Sequence, residues 1–553
     1  MVDYDVVVVG SGFGGSVAAL RLTEKGYRVG VLEAGRRFAD HELPTTSWQL
    51  RDFLWAPALG SYGIQRIHLL RNLVVLAGAG VGGGSLNYAN TLYRPPQAFF
   101  NDPQWAHLAD WRAELDPHYE QAQRMLGVVT YPGHTAADEV MQRVARDMGV
   151  CKSYQPAPVG VFFGRPGEEV KDPYFGGAGP PRTGCVECGS CMTGCRVGAK
   201  NTLLKNYLYL AEQAGAVVHP LTTVTAIRPQ TDGTWLLDAV RTGKRWRRSF
   251  GAHQVVLAAG TWGTQQLLHR MRDKSVLPRL SPRLGELTRT NSEAIVGASR
   301  ASVDPRRDFS RGVAITSSFY PDEHTHIEPV RYGRGSNAMG LLQTVSTDGA
   351  SDTPRWRQVL RFVAQDPVRA ARLLSVRHWS ERTVILLVMQ TLDNSLTTYR
   401  RHGRLTSRYG HGEPNPTFIP AGFHASRLTA QHIGGTAGST WGELFEIPIT
   451  AHFLGGCPMG ATTAEGVIDA YHRAHGYPGL SVVDGSAISA NLGVNPALTI
   501  TALAERAFGL WPNKDDRDQR PAPGEGYQRQ DPIPPRTPAV PADAPGALRL
   551  HHR

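Results

Sequence analysis

Two short β-branched runs, separated by a glycine turn and a stretch of helical spacing, open the chain. Residues 4–9 are continuous and β-branched, 10–15 turn, 16–25 are helical, and 27–32 are β again. That order predicts one βαβ unit. LVVLA at 73–77 leads into a second glycine-dense turn, 78–84, but the NYANTLYRPP that follows has no helical period. Further along, 201–228 reads as a helix followed by two short strands, VVLAAG at 255–260 as a buried strand, and TWGTQQLLHRM after it as a helix. Between 290 and 450 short β-like runs alternate with loops, apart from a helical stretch near 354–380, which predicts a mixed sheet domain. From Trp511 onward proline and charge dominate without an apolar period, and this predicts an extended tail.

Composition narrows the classes. With 553 residues, 41% of them hydrophobic, the chain is long enough for several compact units. The formal charge of +11 comes from 59 Lys and Arg against 48 Asp and Glu, and only 8 of the bases are Lys. The arginines are scattered among acids rather than gathered on one stretch, so no nucleic-acid partner is expected. No run approaches the ~18–20 apolar residues of a membrane span. The N-terminus enters its first strand without a basic leader or cleavage site, which points to the cytoplasm. Six cysteines are too few for a disulfide framework, and four of them fall within eleven residues.

Gly10-x-Gly12-x-x-Gly15, with Phe13 and Gly14 inside the turn, follows a strand and opens a helix, and Glu33 ends the second strand. Glycines let the backbone approach a pyrophosphate, the helix N-terminus offers unpaired N–H groups, and the carboxylate accepts from ribose hydroxyls. An acid at that position disfavours a 2′-phosphate. The expected ligand is therefore FAD or NAD rather than NADP.

A wider set of segments carries a family resemblance. LEAG (32–35), GAGVGGGSLNYAN (78–90), VVLAAGTWGTQQLL (255–268), HFLGGCPMG (452–460) and VVDGSAISANLGVNPALTITALAER (482–506) together resemble the glucose–methanol–choline (GMC) flavoprotein oxidoreductases. Within that family they resemble the steroid-oxidising branch. The resemblance implies an α/β fold: a discontinuous Rossmann-like FAD-binding domain (1–115, 185–290 and 446–511) with an inserted α+β substrate domain (116–184 and 291–445) containing an antiparallel sheet. Residues 512–553 form the tail. It also implies flavin contacts from Gly82, Gly83, Gly84, Ser85 and Asn87 in the second glycine loop, and from Val224, Asp484 and Asn495. Members with covalent flavin carry a histidine just before that loop. Residues 73–81 contain none, so non-covalent FAD is expected.

The catalytic residues carried by the same motifs are His452 and Asn495. Alcohol oxidation removes a hydride from carbon and a proton from oxygen, so a base must face the hydroxyl while flavin faces the C–H bond. The steroid branch adds a carboxylate that moves a double bond. Glu328 in HIEP is aligned with it and Glu323 is the alternative; an apolar pocket should raise the pKa of such a group. The activity implied is oxidation of a hydrophobic secondary alcohol, a 3β-hydroxysteroid, with O2 as acceptor. One alternative is a dehydrogenase passing electrons to a carrier, and another is a sterol-binding flavoprotein without turnover.

Two features stand outside that frame. Cys185, Cys188, Cys191 and Cys195 reproduce the spacing of a ferredoxin loop, which leaves an iron–sulfur cluster, zinc and reduced structural thiols all open. Residues 354–382 hold seven Arg against two acids, with Trp356, Val359, Leu360 and Val363 on one helical face. The preferred reading is a helix covering the substrate domain. The alternative is a peripheral contact with an anionic membrane surface.

Overall fold

The computed structural model describes residues 2–549. Its larger sheet has seven strands. The strands β1 (Tyr4–Val9), β2 (Val29–Leu32), β3 (Val217–His219), β4 (Thr222–Pro229), β5 (Trp235–Arg241) and β6 (Arg247–Leu257) lie in the order β3-β2-β1-β6-β5-β4, and a short strand Leu480–Val482 pairs with the end of β6. β1 runs parallel to both neighbours, with Val7 opposite Gly30 and Val255. Buried on both faces, its stretch Val6–Val9 has to be apolar at every position, which is why these residues do not alternate. The first half of β6 pairs antiparallel with β5 and its last residues parallel with Leu480–Val482, so residues far apart in sequence meet on one strand.

Between β1 and β2 runs α1 (Phe13–Glu24), buried along its whole length. The turn before it demands glycine. Gly10 has φ +100°, and a Cβ there would lie 2.2 Å from the Ala258 carbonyl oxygen. A Cβ on Gly14 would lie 2.0 Å from the Val483 carbonyl oxygen, so the C-terminal segment can pack against α1 only because that side chain is missing.

The second sheet is antiparallel throughout. Its strands β7 (Ala294–Arg300), β8 (Thr325–Val330), β9 (Gln343–Val345), β10 (Thr383–Gln390) and β11 (Gly435–Thr440) take the order β8-β10-β7-β11-β9. Two helices cover it. α2 (Ala136–Asp147) contributes Val140, Met141 and Val144 to its core, and a helix at Pro420–Ile433 contributes Phe423, Ala425 and Ile433.

The helix at Pro420–Ile433 lies where the periodicity predicts only β-like runs and loops. Proline starts it and Gly434, with φ 62°, ends it. The stretch near 354–380 is instead two helices, α3 (Arg355–Gln365) and α4 (Pro367–Leu374), broken where Asp366 precedes a proline and caps α4 by accepting from the Arg369 N–H. α4 meets the expectation of a helix covering the substrate sheet, packing on β9 and β11 with Ala370 and Leu373 buried, whereas α3 departs from it. Trp356 is 53% and Leu360 59% exposed, and the apolar face of α3 points to solvent because the helix at 420–433 already occupies the sheet face.

The last long helix, Ala497–Gly509, packs on α1 and on the helix Trp111–Met125. The proline-rich segment after it forms no helix or strand among the described residues, yet it is fastened down. Ile533 N–H donates to Gly509 O (2.9 Å), Thr537 N–H to Glu24 O (3.1 Å) and Gly546 N–H to Tyr174 O (2.8 Å), while Val540, Ala544 and Ala547 enter the main core. It acts as a strap. Residues 550–553 of the expected tail lie outside the described residues.

Candidate active site

The two glycine loops face each other. A Cβ on Gly83 would lie 2.8 Å from the Gly12 Cα, whereas one on Gly12 would meet nothing within 4 Å. Space therefore opens directly in front of α1, whose N-cap Gly12 supplies no side-chain acceptor to the first N–H groups of the helix. Ser11 binds the loops together: its hydroxyl donates to Glu33 Oε2 (2.7 Å) and accepts from the Gly82 N–H (3.0 Å). Glu33 also accepts from the Ser11 and Gly35 N–H groups, at 3.0 and 2.7 Å. A carboxylate held by three donors still has lone pairs for a ribose hydroxyl. These features fit a bound dinucleotide.

The other expected cofactor contacts divide into two groups. Gly82, Gly83 and Gly84 sit in the facing loop, and Val224 lies two residues beyond Thr222, whose N–H donates to Glu33 O (2.7 Å). Phe13 packs edge-on against Tyr88. In contrast, the Ser85 hydroxyl donates to Gly82 O and accepts from Leu203 N–H, and the Asn87 amide donates to Gln65 Oε1 (2.9 Å). Asp484 accepts from Ser486 N–H (2.9 Å) and Thr264 Oγ1 (2.5 Å). The polar side chains of these three residues are committed to the protein, and they shape the loops.

The expected catalytic residues come together. Glu328 and His326 alternate onto one face of β8, His452 follows the short strand Ile449–Thr450, and Asn495 directly precedes the last long helix. Asn495 Nδ2 donates to Glu328 Oε2 (3.3 Å), and His326 Nε2 lies 4.0 Å from Glu328 Oε1. All four residues are buried. Glu323, the alternative carboxylate, is instead exposed beside His324.

Two further residues complete the group, and the motifs do not mark them. Glu293 Oε1 contacts His452 Nδ1 while its Oε2 accepts from Ala451 N–H (2.9 Å). Asn291 donates to Val494 O (2.7 Å), accepts from Gly493 N–H (3.1 Å) and places its amide nitrogen 3.1 Å from His452 Nδ1. The Asn291 amide gives one hydrogen to Val494 O and can place its second on Nδ1, whereas Glu293 can only accept a proton from Nδ1, so the two neighbours select opposite ring tautomers and we take the one in which Nδ1 donates to the carboxylate. This assignment leaves His452 Nε2 as the acceptor of the ring.

Several buried polar atoms here lack a hydrogen bond among the described residues: Glu293 Oε1 (its contact with His452 aside), Glu328 Oε1, Asn495 Oδ1 and both nitrogens of His326. Such atoms are costly in a closed core and mark a place where a ligand completes the bonding. Burial pushes the Glu328 carboxyl up to about 8, with the nearby Glu293 adding to the rise and the Asn495 bond opposing it. Burial pushes His326 down to about 3, so it is neutral.

Of the three readings open for the cysteines, the arrangement of the described residues favours reduced thiols. Cys185, Cys188, Cys191 and Cys195 line one cavity of about 10 Å³, room for roughly one water. Among the described residues no group of three or more His, Cys, Asp or Glu is arranged to hold a metal ion. Lys200 fixes this loop to the second glycine loop by donating to Cys191 O (2.9 Å), Leu86 O (3.0 Å) and Tyr88 O (2.8 Å). The thiols are free: Cys191 lies in the core, Cys185 and Cys195 pack against it, and Cys188 is exposed.

Comparison with known proteins places this geometry. A model described as FAD dependent oxidoreductase matches residues 5–422, and one described as GMC oxidoreductase matches 439–504. Cholesterol oxidase of Mycobacterium tuberculosis (strain ATCC 25618 / H37Rv) is 64% identical, covering 99% of this chain and 98% of its own, and that of Acinetobacter baumannii is 40% identical, covering 94% and 96%. A crystal structure of pyridoxine 4-oxidase from Mesorbium loti, 16% identical with a TM-score of 0.58, covers 91% of this chain and 98% of its own and shares the fold. The chain belongs to the GMC family of FAD-dependent oxidoreductases.

Proposed function

We propose that this chain oxidises a 3β-hydroxysteroid such as cholesterol to the ketone, with non-covalent FAD and O2 as acceptor. The observation that carries the reading is the convergence of His452, Asn495 and Glu328 in one buried site, in a chain 64% identical to a cholesterol oxidase. FAD between the glycine loops supplies the acceptor for the hydride leaving C3. His452 Nε2 receives the hydroxyl proton, with Glu293 holding the ring tautomer and stabilising the imidazolium that forms. Asn495 and Glu328 orient the hydroxyl through their unsatisfied oxygens. Glu328, when ionised, then takes a proton from C4 of the ketone and returns it to C6, moving the double bond from C5–C6 to C4–C5.

A sterol reaches such a site from a lipid surface, and the α3–α4 face supports that route. Trp356, Leu360, Val363, Val368 and Leu374 are exposed there among five arginines, Arg357, Arg361, Arg369, Arg372 and Arg377. Arg355 ties α3 to Glu443 O, beside exposed Trp441 and Phe445, and the chain runs from there through Ile449–Thr450 to His452. An apolar face with a basic flank suits anionic lipid.

The decisive experiment is anaerobic flavin reduction by cholesterol. The wild-type holoenzyme bleaches, and His452→Ala bleaches at least about 10²-fold more slowly, within the usual range of general-base effects. Equal rates would remove His452 from its role, and no bleaching of the wild type would remove the substrate.

A further inference from the structure

A cavity of about 310 Å³ lies away from the flavin loops, beyond the other end of α1. Arg21 and Lys25 of α1, His118 from Trp111–Met125, Arg506 from the last long helix, and Arg529 and Arg549 of the strap line it. Two lining carboxylates are already taken. Glu505 is held by two bonds from Arg21 at 2.8 Å and by the Tyr207 hydroxyl, while Glu114 is held by Arg506 Nε (2.9 Å) and faces Arg529 Nε (3.4 Å). Asp531 is exposed at the rim.

What remains is a surplus of donors. Arg506 is fully buried between Trp111 and Tyr527, and its Nη2 has no partner among the described residues. Lys25 donates to the carbonyls of Gly509 (3.1 Å) and Trp511; burial, with Arg520 and Arg21 nearby, lowers its pKa to about 7, so an anion beside it would favour the charged form and its third hydrogen. Arg549 binds through its backbone N–H to Gln121, and its guanidinium is exposed at the mouth. A buried guanidinium nitrogen without an acceptor is costly, and an anionic oxygen removes that cost.

We propose that this cavity is a second ligand site, distinct from the flavin and sterol sites, which takes a small oxyanion: a phosphate or carboxylate group. Lys25, Arg529 and Arg549 bind it from the sides, and Arg506 in the cavity wall supplies a buried positive charge beneath it. Since two of these cations belong to the strap, the ligand clamps the strap onto α1 and the last long helix. The site stands independently of the sterol reading, because none of its residues touches the catalytic group.

Isothermal titration of the FAD-loaded protein with inorganic phosphate, and separately with succinate, tests it. At least one should bind saturably, and the active arm identifies the chemistry. Arg529→Ala/Arg549→Ala should weaken that binding at least tenfold, and Ile533→Trp, which fills the cavity, should abolish it. Both should leave sterol turnover unchanged. No saturable binding of either anion up to ~10 mM, weaker than any ordinary effector site, overturns the proposal. So does binding that persists unchanged in both variants.

Discussion

Replacing Glu328 by glutamine keeps the side-chain shape and removes the charge. Burial raises this carboxyl from an ordinary 4.5 to about 8, and a shift of that size corresponds to about 5 kcal/mol at ~1.4 kcal/mol per unit. The sign follows from linkage. The folded state keeps its proton to higher pH than the unfolded state, so the contribution to stability is fully present below pH 4.5 and is lost as pH rises through 8. E328Q cannot ionise and escapes the loss. Melting temperatures of the two FAD-loaded proteins between pH 5 and 9 should diverge in favour of the variant up to about pH 8 and run parallel above. Activity should change in a matching way. With a folded pKa near 8, about one Glu328 in eleven is ionised at pH 7, so the wild-type isomerisation should quicken roughly tenfold per pH unit below 8. E328Q should release the unconjugated ketone, read by the missing enone absorbance. A melting gap that does not vary with pH, or enone formed by E328Q at the wild-type rate, would refute the burial argument.

Glu293→Gln deprives His452 Nδ1 of its carboxylate and should slow anaerobic flavin reduction about 10²-fold with sterol KM nearly unchanged, Glu293→Asp recovering part of the rate; a loss under threefold counts against the pairing. Glu33→Ala removes the acceptor of the Ser11 and Gly35 bonds, each worth about 1.5–3 kcal/mol as bonds to a charged group, and ultrafiltration should show FAD held at least 10²-fold more weakly. Trp356→Ser/Leu360→Ser should reduce sedimentation with phosphatidylserine vesicles severalfold while sparing turnover of detergent-dissolved sterol. Equal sedimentation would detach α3 from the lipid route.

The opening βαβ unit was readable because each step has a local cause: a strand buried on both faces must be apolar throughout, and a turn with φ +100° against a carbonyl must be glycine. The substrate sheet was harder. The helix at 420–433 hides its period because small residues, Gly422, Ala425 and Ser426, make up much of its buried face. The segment at 355–374 has a clear period, and α4 turns its apolar positions Ala370 and Leu373 onto the sheet while α3 turns its own outward. Periodicity says that a face is apolar, and only tertiary packing says whether the core has room for it. With the helix at 420–433 and α2 already on the sheet, the face bearing Trp356 and Leu360 had nowhere to go but outward.

The catalytic group divides along the same line. His452 and Asn495 sit in motifs whose neighbours are also constrained: Gly455, with φ 69°, would place a Cβ 1.9 Å from the Leu287 carbonyl oxygen, so the block is recognisable as a unit. Glu293 and Asn291 precede an ordinary strand, and their importance arises from contacts across 158 to 203 residues of chain, to Ala451, His452 and Val494. No local pattern encodes that. Ser11 is similar, an unremarked letter between two glycines whose hydroxyl joins both loops. Cysteine spacing misled for the converse reason. A ligand spacing fixes how far apart four thiols can be, whereas a metal site also needs them aimed at one roomy point. Here the four cysteines border one small space, but among the described residues no three of them are disposed to hold a metal, and Lys200 anchors the loop instead. Lys200 thereby couples the cysteine loop to the flavin loop mechanically, so the constraint on this segment is the position of Leu86 and Tyr88, which a buried ammonium with three carbonyl acceptors holds directly.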